Sequence, residues 1–156
     1  MKNLNQSGFT LLEVLIAMII LAIGLLGLAG LQANSMRFNN SAYLRSQASF
    51  LATDIADKMR ANQDEVTNGS FNDIDTTNTY NIGTCYTSSG CSTTSQMATS
   101  SIAEWKSLLE SVLPSGKATV TSGANDTFTV SITWVDNTAG ASIADKERTF
   151  STIIKP

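Results

Sequence analysis

Residues 8–31 read GFTLLEVLIAMIILAIGLLGLAGL, and the fold of the chain turns on this stretch. Val14 to Leu31 is eighteen consecutive residues without a charge, and from Phe9 the apolar run is twenty-three residues broken only by Thr10 and Glu13. Wound as a helix at about 1.5 Å per residue, the run reaches roughly 34 Å, enough to cross a hydrocarbon core of about 30 Å once. No other segment approaches this length, so the rest of the chain is expected to be soluble on one side of the membrane. Met1 to Gly8, ahead of the run, is polar and carries a single lysine, Lys2. A secretory signal would place a small-residue cleavage site after a shorter apolar core. A cut at Gly8 would instead leave the apolar helix on the mature chain. Basic residues do not fix the orientation, because Lys2 and the amino terminus are balanced by Arg37 and Arg45 beyond the run.

The remaining composition narrows the function. The 156 residues suffice for one domain and an appendage. Charged residues are only 15%, below the roughly 25% of an average domain, which fits a membrane segment joined to a surface of uncharged polar groups. Thirteen acids against ten bases give a net charge of -3 with no basic run, so no nucleic-acid partner is expected. Histidine is absent, which removes the commonest general base, the commonest metal ligand and every Ser-His or Cys-His arrangement. No enzyme activity and no cofactor are expected.

Past Leu31 the pattern turns amphipathic. Leu44, Ala48, Leu51, Ile55 and Met59 recur at helical spacing, and no glycine or proline intervenes before Gly69. One continuous helix from about Phe9 to Arg60 is predicted, roughly 78 Å long. Its stripe covers barely two heptads, too few to favour a coiled coil. Inside the apolar run Gly24, Gly27 and Gly30 recur every three residues; they fit either an assembly face or the ordinary tolerance of membrane helices for glycine.

Thr67 to Ser101 is different in kind. Twenty of its thirty-five residues are Ser, Thr or Asn, so the stretch reads as a long surface loop. Ser101-Ile102-Ala103-Glu104 is a capping-box pattern that predicts a short helix carrying Ile102, Trp105, Leu109 and Val112 on one side and stopped by Pro114 and Gly116. The period then drops to two. Phe128, Val130, Ile132 and Trp134 predict a half-buried strand, Lys117–Thr121 and Arg148–Ile154 supply partners, Ser122–Asn125 is a hairpin turn and Asn137–Asp145 a longer connection. Trp105 and Trp134 could form a ligand platform, but their periodicity favours the core. Asp64, Glu65, Asp73, Asp75 and Asp136 follow no calcium-loop pattern and are expected to be a solvated acidic surface.

The string Gly8-Phe9-Thr10-Leu11-Leu12-Glu13-Val14, leading directly into an apolar helix, resembles the processing site of type IV prepilins and related pseudopilins. The resemblance implies cleavage after Gly8 by a prepilin peptidase, N-methylation of the new first residue Phe9, a cytoplasmic leader and a periplasmic head. It also implies an assembly role for Glu13. A carboxylate beside lipid is disfavoured by a few kcal/mol, and cleavage creates an ammonium at Phe9 that can pair with Glu13 of the same or a neighbouring helix. At about 4 Å and an effective dielectric near 20, that attraction is on the order of 4 kcal/mol before desolvation. The alternative is that Glu13 sits at the interface and reaches to water. In a periplasmic head, Cys85 and Cys91 are expected to form a disulfide, worth about 2 kcal/mol for so short a loop. Two thiolates without histidine suit a metal poorly.

The implied organisation is an α+β pilin-like fold: a leader over 1–8, a transmembrane and assembly segment over 9–31, an amphipathic outer half over 32–61, and a globular head over 62–156. The head would be a small antiparallel sheet of three to four strands with a long αβ-loop and a short extra helix. Gly24 to Gln32, Ala103-Glu104-Trp105 ahead of Leu113-Pro114, and Ile132 to Asp136 are similar to PilV-type minor pilins, also called type IV pilus modification proteins. Sixty-five residues follow Cys91 without another cysteine, unlike the carboxyl-terminal staple common in major pilins. The resemblance implies a structural protein of a pilus-tip complex that primes assembly and supports twitching motility, adhesion and DNA uptake. Its partners would be other minor pilins, the major pilin and the inner-membrane assembly platform. A minor pseudopilin of type II secretion is the alternative.

Overall fold

The computed structural model describes residues 8–83, 85–137 and 146–156. The polar start before Gly8 and nearly all of the connection expected over Asn137–Asp145 lie outside the described residues. The chain divides at residue 40 into two compact units, Met1–Asn40 and Ser41–Pro156.

Helix α1 runs Leu11–Ala61, 51 residues, close to the boundaries predicted from the sequence. Thr10 opens it, its hydroxyl accepting from the Glu13 N–H at 3.3 Å. That bond satisfies one of the donors a helix start leaves unpaired, and Glu13 in the first turn complements the dipole. In the first unit the helix keeps every side chain exposed. In the second it buries Leu44, Ala48, Leu51, Ala52, Ile55, Ala56 and Met59 along one stripe, which contains all five positions read from periodicity. The helix ends with Lys58 and Arg60 in its last turn, and Asn62 then leaves the helical region at φ -132°, ψ 54°.

A short helix α2, Gln63–Thr67, follows, then strand β1, Ile74–Asp75. Helix α3 is Thr94–Val112, and β2 (Lys117–Ser122), β3 (Phe128–Val135) and β4 (Glu147–Ile154) complete an antiparallel four-stranded sheet in the order β1-β2-β3-β4. The register pairs Val120 with Val130 and Ile132 with Phe150, so the apolar side chains share one face. That face closes on Leu51, Ile55 and Met59 of α1 and on Trp105 and Leu109 of α3 in one core. Both tryptophans are buried in it, as periodicity predicts. The Trp105 indole donates to the Leu51 carbonyl at 2.9 Å, whereas the buried Trp134 Nε1 has no partner among the described residues.

Three readings of the 67–101 stretch need correction. Its first residue closes α2, and Ile74–Asp75 adds a strand at the edge of β2. Helix α3 also starts at Thr94, eight residues before the Ile102 start that the capping-box pattern suggested. Ser101 is therefore interior, its hydroxyl donating to the Met97 carbonyl at 2.8 Å. The capping residue is Thr93, which accepts from the Gln96 N–H at 3.1 Å while the Gln96 side chain accepts from the Ser92 N–H at 2.9 Å. The stop is as predicted. Leu113 is extended ahead of Pro114, and a Cβ on Gly116 would lie 2.9 Å from the Leu109 carbonyl oxygen.

Candidate functional site

The amino-terminal residues form the first candidate site. Gly8 and Phe9 lie outside any secondary structure and are exposed, so the bond between them is open to a processing enzyme. Phe9, Glu13, Ala17 and Leu21 line a shallow groove on one side of α1, as a spacing of four requires. The three ion pairs among the described residues are Lys58–Glu104, Arg60–Asp57 and Lys106–Glu110, and none engages the exposed Glu13. Leu11–Ala61 is the one helix among the described residues long and apolar enough to cross a membrane. Near Gly24, Gly27 and Gly30 no atom beyond the helix's own backbone comes within 4 Å of a built Cβ, so these positions present open surface.

The second is the polar loop between β1 and α3. Cys85 and Cys91 form a disulfide. The loop is stitched to α3 by Lys106 Nζ, which donates to the Asn78 carbonyl at 2.7 Å, and by the Ser100 hydroxyl, which donates to the Ile82 carbonyl. Tyr86, beside Cys85, donates its hydroxyl to Glu104 at 2.8 Å. The disulfide thus constrains a segment already anchored on one helix.

Two acids expected on a solvated surface are buried instead, Glu65 and Asp136. Glu65 accepts from Asn68, Ser70 and the Thr94 hydroxyl, and Asn62 donates to the Thr94 carbonyl, so the α1–α2 corner is tied to the start of α3. The hydrogen bonds from Ser70 and Thr94 hold the Glu65 carboxyl below its ordinary range against the opposing effect of burial. Asp136 accepts from the Ser41 hydroxyl, and its N–H donates to the Lys146 carbonyl at 2.8 Å, which joins the end of β3 to α1. Asp75 follows a third pattern: it is half-buried, and the Thr77 N–H and hydroxyl hold its carboxyl low.

A fourth cluster, not anticipated from the sequence, joins α1 and α3 through Asp54, Lys58 and Glu104. Lys58 reaches Glu104 at 2.7 Å, and this bond together with the Tyr86 hydroxyl lowers the Glu104 carboxyl. Burial acts to lower the Lys58 ammonium, but the hydrogen bond to Glu104 and the charges of Asp54 and Glu104 outweigh it and raise it. For Asp54 burial dominates and pushes the carboxyl up, opposed by Lys58 and reinforced by Glu104 and Asp57. The only sequence signal for this cluster was the i,i+4 spacing of Asp54 and Lys58.

Residues 3–29 match the family described as the prokaryotic N-terminal methylation motif, and residues 30–103 match the one described as type IV pilin Tt1218. The two matches adjoin and together cover all of α1, the disulfide loop and the first half of α3. No curated protein and no solved structure matches the chain.

Proposed function

Because the chain belongs to the type IV pilin-like family, whose members are structural subunits that assemble with other pilins after processing by a prepilin peptidase, we propose that it is a PilV-type minor pilin of a pilus-tip complex. On this reading residues 1–8 are a cytoplasmic leader, cut after Gly8, and Phe9 becomes the methylated amino terminus. Residues 9–31 hold the protein in the inner membrane and later pack against other pilins. The outer half over 32–61 and the head over 62–156 face the periplasm. The ammonium at Phe9 and the carboxylate of Glu13 set the register between neighbouring helices.

The observation that carries this reading is the juxtaposition of an exposed Gly8–Phe9 bond with an apolar helix start whose one acid, Glu13, has no ion-pair partner among the described residues. The position of the disulfide at Cys85–Cys91, inside the αβ-loop and far from the carboxyl end, favours a minor over a major subunit. Amino-terminal sequencing of the mature polypeptide tests the processing step. N-methylphenylalanine at Phe9 is expected, and any other first residue overturns it. Deleting the gene is expected to reduce surface pili and leave exoprotein secretion unchanged; the reverse outcome would make the protein a type II secretion pseudopilin.

A further inference from the structure

Three parts of the chain meet on one carboxylate oxygen. Glu104 Oε2 on α3 accepts from Lys58 of α1 at 2.7 Å and from the Tyr86 hydroxyl of the disulfide loop at 2.8 Å. Asp54 faces the same carboxylate from α1, and Ser101 faces the Tyr86 phenol from α3. Tyr86 belongs to the ring 85–91 that the disulfide closes. Within that ring Gly90 turns at φ 66°, and its N–H donates to the Thr87 carbonyl at 3.1 Å. The flanks of the ring are anchored to α3 without help from the bridge. Ser100 holds the Ile82 carbonyl on one side, and the Gln96 side chain accepts from the Ser92 N–H at 2.9 Å on the other. Tyr86 thus ties the ring itself to the junction of α1 and α3.

Magnitudes decide whether that tie outlives the bridge. Closing so short a ring favours its ordered form by a factor of about thirty in the chain-entropy picture. The Glu104 side chain is 50% exposed, so water competes for its oxygen. A hydrogen bond to such an acceptor is worth about tenfold or less. Ordering an opened ring therefore costs more than the Tyr86 bond returns, while the anchors at Ile82 and Ser92 confine the change to the residues between them. The bridge is also within reach of a reductant, because Cys91 is exposed and Cys85 only half-buried.

We propose that the Cys85–Cys91 bridge is a redox switch on the junction of α1 and α3: its reduction by a dithiol frees Tyr86 from Glu104 and leaves that carboxylate to Lys58 alone. One thiolate of the dithiol attacks the Cys91 sulfur, and Cys85 leaves as a thiolate. The second thiolate then attacks the mixed disulfide and expels Cys91. The dithiol ends as a disulfide, and its two protons pass to Cys85 and Cys91. The switch holds whether or not the chain enters pili, since every contact in it lies within this chain. Redox state and protonation are then linked. The groups facing Glu104 are Lys58 and Asp54 on α1 and Tyr86 on the loop. In the oxidised chain the bonds from Lys58 and Tyr86 hold the Glu104 carboxyl below its ordinary range, and loss of Tyr86 moves it part of the way back. Ionised Glu104 accordingly favours the closed ring, and that preference fades as pH falls through the Glu104 titration.

The test follows the Glu104 carboxyl by NMR in the full chain in neutral-detergent micelles, with the bridge intact and after reduction. The reductant is tris(2-carboxyethyl)phosphine, which works in acid and ends as its phosphine oxide, with water supplying the oxygen and the two protons. Reduction is expected to raise the proton affinity of Glu104 by about twofold to fivefold. Amide exchange at Tyr86 should quicken by about tenfold or more, while exchange in α3 at Leu109 stays unchanged. Tyr86→Phe, which lacks the phenol oxygen, should show the higher Glu104 affinity at the outset and no further change on reduction. Equal Glu104 affinity in the oxidised and reduced chains overturns the switch. So does a response to reduction that survives in Tyr86→Phe, or a bridge that the phosphine cannot open in the folded chain.

Discussion

Two stretches of a single helix, residues 11–40 and 41–61, the first mostly a continuous apolar run and the second amphipathic, meet opposite fates. The first leaves every side chain exposed, including Leu15, Ile19, Ile20 and Leu25, and the second buries seven side chains along one stripe. Helix formation is therefore not what separates them. Both lack proline and are rich in good helix formers, so α1 continues through the boundary. The difference is where the apolar area finds its cover. Trp105, Val130 and Ile132 supply it within the chain for the second stretch, whereas the side chains of the first stay exposed among the described residues. Substitutions of equal chemistry should accordingly fail in different assays.

The sharpest break in this comparison is Glu13→Leu. Membrane insertion and cleavage should persist, while the amount of protein in sheared filaments falls by about tenfold or more, the equivalent of losing some 1.4 kcal/mol or more of register energy. Undiminished filament content would show that Glu13 takes no part in assembly. Next is a matched pair on α1. Ile55 is fully buried and Ile20 is 65% exposed. In denaturant unfolding of the full chain in micelles, Ile55→Ala should cost about 2–5 kcal/mol and Ile20→Ala less than about 0.5 kcal/mol. Equal shifts would erase the distinction between the stretches. Smaller again is the disulfide: replacing Cys85 and Cys91 with serine should cost about 2 kcal/mol and raise amide exchange around Tyr86. A loss as large as that of Ile55→Ala would mean that the loop belongs to the core.

The parts legible in the sequence are those whose signal is local. The Leu44-to-Met59 stripe and the alternation over Phe128–Trp134 each report burial through a period that one element imposes on itself, and the twenty-three-residue apolar run declares a helix by its length alone. The match of residues 3–29 to the N-terminal methylation motif was legible as well, because it lies in one contiguous string. Burial of Glu65 was not, because its partners Ser70 and Thr94 come together only through the α1–α2 corner, and Asp136 meets Ser41 across 95 residues of chain. The cluster of Asp54, Lys58 and Glu104 likewise needs Glu104 brought from α3. Strand β1 has only two residues, too few to show a period. The first two turns of α3 were hidden by composition. Thr94 to Ser101 is mostly hydroxyl and amide side chains of modest helix propensity, and several of them bond the chain itself; Thr99, for example, donates to the Ser95 carbonyl at 3.0 Å.

The start of α3 returns the comparison to its smallest scale. Thr10 opens α1 and Thr93 opens α3 by the same device, a hydroxyl that accepts from the N–H three residues on, at 3.3 Å and 3.1 Å. Loss of such a cap typically costs about 1 kcal/mol where unfolding of the helix is coupled to unfolding of the domain. Thr93 meets that condition, because α3 carries Trp105 and Leu109 into the core. Thr10 caps a stretch whose side chains are all exposed among the described residues. Thr93→Ala should therefore lower the unfolding free energy by about 1 kcal/mol, while Thr10→Ala should leave it within about 0.5 kcal/mol. Ser101→Ala should also be nearly neutral, since its hydroxyl only bonds back to the Met97 carbonyl. A larger loss from Ser101→Ala than from Thr93→Ala would move the start of α3 back to the position its apolar stripe suggests. A loss from Thr10→Ala equal to that from Thr93→Ala would couple the exposed stretch of α1 to the stability of the head.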